Sequence, residues 1–159
     1  MSSETGGAMS STAIRIFRDH TLLVAIGLLA LPGAARCTSI DLGGASFKSG
    51  RPVKGESMES AVSSEFDIGR LKQSVETLKQ HPILQFEVTG HTDPHECSGK
   101  ECNELALRRA VLVYRYLLDA GVDARRLISL SEYASERQIA DGDDYKRNQR
   151  AEVNFALEP

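Results

Sequence analysis

The hydrophobic pattern of this chain changes period twice, and that change limits its fold more than any other feature. Ile68, Leu71, Val75 and Leu78 recur at helical spacing, which puts them on one face of a helix. Leu84, Phe86 and Val88 then alternate with Gln85, Glu87 and Thr89, the mark of a half-buried strand. Helical spacing returns at Ala106, Ala110, Val113 and Leu117, with Val111 and Tyr114 alongside. Leu127 to Tyr133 reads as another strand, as does the alternation of Ala151, Val153 and Phe155. A weak first strand falls near Ala45–Lys48. Ser63 or Ser64 is placed to cap the first helix, and His81 followed by Pro82 ends it. Asn103 is the expected N-cap of the second helix, and Gly121 its stop. Two helices with apolar stripes can cover the apolar side of such a sheet. The expected fold class is therefore α+β, in the order β-α-β-α-β-β, with both helices on one face of a mixed sheet.

The N-terminus has a different character. Arg15 and Arg18 precede an apolar run from Thr21 to Leu31, and Pro32, Gly33, Ala34 and Ala35 follow. A basic start, a short apolar stretch and small residues describe a secretory signal. The run is short of the about 20 apolar residues a spanning helix needs. Residues 1–35 are thus expected to be a signal peptide, or an N-terminal anchor if uncleaved. Residues 36–62, rich in Ser, Gly, Lys and Glu, read as a tether with a possible first strand, and residues 63–159 as the folded domain. Arg36 stands before Cys37, where a lipidated cysteine needs a small residue. Plain cleavage after Ala35 is the favoured reading, and lipid attachment at Cys37 the other.

An exported chain meets an oxidising compartment, where Cys97 and Cys102 are free to pair. Ser98 and Gly99 between them give the flexibility a small ring requires. A disulfide here would stiffen the connection between a strand and a helix. The net charge of −3 and the absence of any basic run with interleaved aromatics argue against a nucleic-acid partner. The chain has no tryptophan, which disfavours a broad aromatic platform for carbohydrate.

Four blocks stand out in order: Gly90, His91, Thr92 and Asp93; Leu105 through Ala110, which includes Arg108 and Arg109; Gly121 through Leu127; and Asn148 through Val153. With these blocks the sequence resembles the OmpA-like peptidoglycan-binding domain over most of residues 71–155. The resemblance implies a non-catalytic module that holds the diaminopimelate of the peptidoglycan peptide stem. It implies an aspartate after the second strand and an arginine on the following helix as the grip, which map to Asp93 and Arg109. The second arginine of the terminal block maps to Arg150. Thr92 and Asn103 complete the expected ligand-binding set.

The residue chemistry supports that expectation. The end of diaminopimelate carries an ammonium and a carboxylate on one carbon. An arginine fork can donate two parallel bonds to the carboxylate, and an ionised aspartate accepts from the ammonium. Arg109 lies one helical row from the buried stripe and is expected to emerge at the edge of the core. The chain departs from the family pattern in three places. Cys102 stands three before Leu105, with Asn103 displaced by one. Ala106 replaces a serine. Ser131, Glu132, Tyr133, Ala134 and Ser135 replace a glycine-rich stretch.

Two other readings compete. His91, Asp93, His95 and Cys97 alternate, so an extended chain would point them to one side, as a metal-dependent hydrolase might arrange zinc ligands. No second ligand segment and no general base accompany them. No metal, cofactor or catalytic residue is assigned. The third reading is a stator-type or secretion-type envelope subunit with an uncleaved anchor, although Thr21–Leu31 lacks the intramembrane ionisable residue an ion-driven stator needs. The expected location is the periplasm, associated with the cell wall, with the N-terminus as the route to an outer- or inner-membrane anchor.

Overall fold

The computed structural model describes residues 42–156. The signal-peptide region, Cys37 and the first residues of the expected tether lie outside the described residues. The order of elements is β1 (Ala45–Ser46), α1 (Met58–Ala61), α2 (Glu65–Gln80), β2 (Phe86–Gly90), α3 (Lys100–Asp119), β3 (Leu127–Glu132) and β4 (Arg150–Phe155). Short 3-10 turns at Ala124–Arg126 and Gly142–Asn148 precede β3 and β4. The sheet runs β1-β4-β2-β3. β2 pairs in parallel with β3, and β4 is antiparallel to both β1 and β2. The fold is α+β with a mixed sheet, as the change of period implied.

The predicted apolar stripes form the core. Leu71, Val75 and Leu78 of α2 and Ala110, Val113 and Leu117 of α3 pack with Phe86, Val88, Ala151 and Val153 of the sheet. Strand alternation decides which sheet residues join them. Phe86 and Val88 are fully buried, whereas Glu87 between them is half-buried. The two central strands thus bury an apolar side and carry polar residues on the other.

Two expectations need correction. The stretch 36–62 is no tether from Leu42 onward. Leu42, Ala45, Phe47, Met58, Ala61 and Val62 all belong to the core. Polar side chains of α2 secure this segment: Asp67 accepts from Ser46 N at 2.9 Å, and the Ser74 hydroxyl donates to Gly43 O and accepts from Gly43 N. Short strands and many polar residues hid its role, because the burial is supplied by contacts far along the chain. The second correction concerns α3, which starts at Lys100, three residues before the expected cap. Asn103 is an exposed residue of its first turn.

One cation closes the C-terminal end of α2. Arg126 donates from its three guanidinium nitrogens to Leu84 O, Leu78 O and His81 O, each at 2.8 Å. Leu78 O is one of the carbonyls that a helix end leaves without an intrahelical partner, and the other two lie in the turn that follows.

The closest approach of helix to sheet falls at Gly90. A Cβ added there would collide with the backbone carbonyl of Ala106. Backbone cannot yield as a flexible side chain can. Gly90→Ala is therefore expected to push α3 away from β2 and lower stability by about 3 kcal/mol, the upper end of overpacking costs. Chemical denaturation of the variant checks this; a loss below about 1 kcal/mol would show that the helix yields freely.

Candidate functional site

The contact of Gly90 with α3 sets the position of everything at this end of the sheet. It places Arg109, one turn beyond Ala106, beneath the end of β2. Arg109 does not emerge at the edge of the core as expected from its helical row. It is fully buried, because each guanidinium hydrogen has an acceptor. Nε donates to Arg51 O at 2.8 Å, and Nη1 donates to His91 O at 2.8 Å and Glu96 Oε1 at 2.6 Å. Nη2 donates to Glu96 Oε2 at 2.8 Å and, at 3.4 Å, to Lys48 O. The guanidinium also lies 5.4 Å over the Phe47 ring. All five donors of the fork are in use.

Glu96 is the residue that sequence reasoning missed. Its carboxylate meets Arg109 end-on through both oxygens, and the two side chains are 1% and 0% exposed. Oε1 also accepts from Asp93 N, and Oε2 from Gly50 N, each at 2.9 Å. The signal for this partner was present. Cys102 and Arg109 are seven residues apart on α3 and share a helical face. Cys97 and Cys102 are joined by a disulfide, so the loop carrying Glu96 is held over the face that carries Arg109.

Asp93 sits beside this pair and shares Glu96 with it. Asp93 is fully buried. Its Oδ1 accepts from His95 N at 2.9 Å and lies 2.8 Å from His95 Nδ1. Its Oδ2 accepts from Gln149 Nε2 at 3.2 Å. The His95 ring rests against Tyr145, with centroids 4.7 Å apart. Gln149, not Arg150, is thus the residue of the terminal block that touches Asp93. Thr92 is buried, and its hydroxyl has no hydrogen-bond partner. A cleft of about 450 Å³ opens next to the loop, lined by Pro94, the Cys97–Cys102 disulfide, Asn103, Ala134 and Glu136. Asn103 therefore faces the cleft, though not from the capping position.

The remaining expected residues lie elsewhere. Arg150 follows the alternation of β4 to the helix-free face of the sheet. There its Nε donates to Glu152 Oε1 at 2.6 Å. His91 goes to the same face, with Nε2 3.6 Å from Glu152 Oε2. The run His91, Asp93, His95 and Cys97 is consequently not one cluster, because the chain turns after Thr92 instead of staying extended. Asp93 and His95 touch, Cys97 is in the disulfide, and His91 faces away. Among the described residues, no three His, Cys, Asp or Glu side chains are placed to share a metal ion.

With this geometry in view, the comparisons define the class. A family model described as the OmpA family matches residues 59–152, and the chain belongs to that family. Among solved structures it is similar to the peptidoglycan-associated lipoprotein of Burkholderia pseudomallei, at 22% identity and a TM-score of 0.56, covering 72% of this chain and 90% of that one. It is similar to the periplasmic domain of Helicobacter pylori MotB (residues 97–256), at 26% identity and a TM-score of 0.52, covering 62% and 72%. A C-terminal domain of the same MotB gives 23% identity and a TM-score of 0.57 over 76% and 89%. No curated protein matches. These structures share its fold.

Two predictions test the site's energetics. Removing one partner of a buried ion pair strands the other charge, so Glu96→Ala is expected to cost about 3–5 kcal/mol in unfolding free energy. A loss under about 1 kcal/mol would show that Arg109 is solvated without Glu96. The second concerns acid. The neighbouring His91, together with the Arg150 guanidinium, holds the Glu152 carboxyl down at about 2 against its ordinary 4.5. A depressed value means that ionised Glu152 favours the folded state, fully so above about pH 4.5 and progressively less as the pH falls toward 2. Glu152→Gln should flatten that part of a melting-temperature profile against pH. An unchanged slope there would overturn the assignment.

Proposed function

We propose that this protein binds the peptide stem of peptidoglycan without cleaving it, and so anchors an envelope component to the cell wall in the periplasm. The observation that carries this reading is the end-on grip of a carboxylate by Arg109, one loop away from the carboxylate of Asp93. Diaminopimelate presents the complementary pair, a carboxylate and an ammonium on one carbon. On this reading Glu96, held by Arg109, stands where the ligand's carboxylate would bind, and His95, against Asp93, where its ammonium would bind. Binding then exchanges like for like. Arg109 keeps a carboxylate partner throughout, and the buried cation is never left bare.

The exchange requires the loop of Pro94 to Gly99 to move, and the cleft beside it gives the stem its approach. Such an exchange releases only part of the energy of the new contacts, so single-site binding is weak. A polymeric wall raises the effective concentration and compensates. The name of the Burkholderia pseudomallei protein, a peptidoglycan-associated lipoprotein, agrees with this reading. The likeness to a periplasmic domain of MotB agrees with a periplasmic location.

Co-sedimentation with purified sacculi tests the proposal. Arg109→Ala is a poor probe, since it strands Glu96 in the interior. Asp93→Asn keeps the shape of the side chain and should lower retention about tenfold, the loss of one charge-assisted bond. Glu96→Gln removes the internal competitor and should raise both retention and the stabilisation conferred by soluble stem peptide. Wild-type retention in both variants would overturn the reading.

A further inference from the structure

The helix-free face of the sheet carries a second, half-open cavity that the stem-binding reading does not use. Three cross-strand pairs form its floor. Glu87 is paired with Asn154 and Thr89 with Glu152, and His91 N donates to Arg150 O at 2.9 Å. Arg137, Gln138 and Ile139 form the other wall of a cavity of about 260 Å³. Tyr133 packs against two of the lining residues, with the His91 ring stacked at 6.1 Å and the Arg137 guanidinium 3.6 Å from its centroid.

His91 is 2% exposed and Arg150 8%. Neither ring nitrogen of His91 has a hydrogen-bond partner, and neither has Nη1 of Arg150. The Glu152 oxygen nearest to His91 is at 3.6 Å, beyond hydrogen-bond length. A buried polar group left without a partner costs about 1–3 kcal/mol. Three such atoms from two adjacent side chains, both lining one cavity, mark it as a candidate site for a polar ligand.

The charges around the cavity choose its chemistry. Arg150 and His91 stand at one end of the β2–β4 pairs, Glu152 lies next to them, and Glu87 stands at the far end. A bare anion would find donors at Arg150 and Arg137 but would also face two carboxylates, Glu87 and Glu152. A bare cation would find the carboxylates but leave Arg150 Nη1 unpaired. We propose that this cavity is a second binding site, for a small zwitterion of the amino-acid or dipeptide class. Its carboxylate would be held by Arg150 and His91, and its ammonium by Glu152 or Glu87. Alternation along β2 separates this site from the first. The side chain of His91 enters it, while the carbonyl of His91 serves Arg109 on the other side.

A titration of the isotope-labelled full chain by nuclear magnetic resonance tests this, with glycine, glycylglycine, acetate and methylammonium as probes. Glycine or glycylglycine should give saturable shifts at Thr89, His91, Gln138, Arg150 and Glu152. Saturation should come at about one tenth of the concentration that acetate or methylammonium needs, since each single ion lacks one charged contact. Arg150→Gln should abolish the shifts, and Asp93→Asn should leave them unchanged. Ile139→Asp, a change at a half-exposed loop position that leaves the core intact, should weaken binding about tenfold by placing a third carboxylate at the mouth. The proposal is overturned if no zwitterion gives saturable shifts, if the shifts fall only on residues 93–103, or if a crystal soaked with glycylglycine shows ordered water only.

Discussion

The guanidinium of Arg109 is the point on which this domain is assembled. A buried cation needs acceptors on all sides, and here they come from three separate stretches of chain. Lys48 and Arg51 supply backbone carbonyls from the segment after β1, His91 supplies one from the end of β2, and Glu96 supplies a carboxylate from the disulfide-closed loop. Such an ion is stable in the interior only when its geometry is nearly complete. The requirement ties the N-terminal segment, the sheet and the loop into one arrangement. It depends in turn on Gly90, whose missing side chain lets α3 lie against β2 closely enough for Arg109 to reach the His91 carbonyl.

In the stem-binding function we propose, the partner of this saturated arginine shapes how binding would occur. Glu96 belongs to a loop rather than to the sheet or a helix, so it is the member of the pair free to leave. The Cys97–Cys102 bond limits how far that loop can swing and holds Glu96 near Arg109. On that proposal specificity comes from competition: a ligand must match the carboxylate it displaces and must also offer an ammonium to Asp93.

Much of the fold was legible in the residues. The stripes of α2 and α3 and the alternation of β2 and β4 each state their own period, and a period needs no knowledge of distant contacts. The helix start was misread because Asn103 is a good capping residue, while the actual boundary at Gly99 follows from the disulfide loop. The first strand expected near Ala45–Lys48 is present, but the rest of the segment from Leu42 to Val62 reads as a tether because that strand is two residues long and is held by Asp67 and Ser74 from α2. Arg109 was expected at the rim because helical position gives direction but not depth. Ala134 is a related case. It adopts a φ of +41°, the left-handed region that favours glycine, at the stretch where the family's glycines are missing, and its carbonyl accepts from Thr92 N.

The sequence by itself determined the class of fold, the order of its main elements and the pairing of Cys97 with Cys102. These are encoded in periodicity and spacing along the chain, which are local quantities. Only the tertiary structure decided which of the candidate site residues meet. It joined Arg109 to Glu96, set Gln149 rather than Arg150 against Asp93, and sent His91 and Arg150 to the opposite face. Those outcomes depend on strand pairing and on the turn after Thr92, where one residue more or less of extended chain reverses the side on which each side chain emerges.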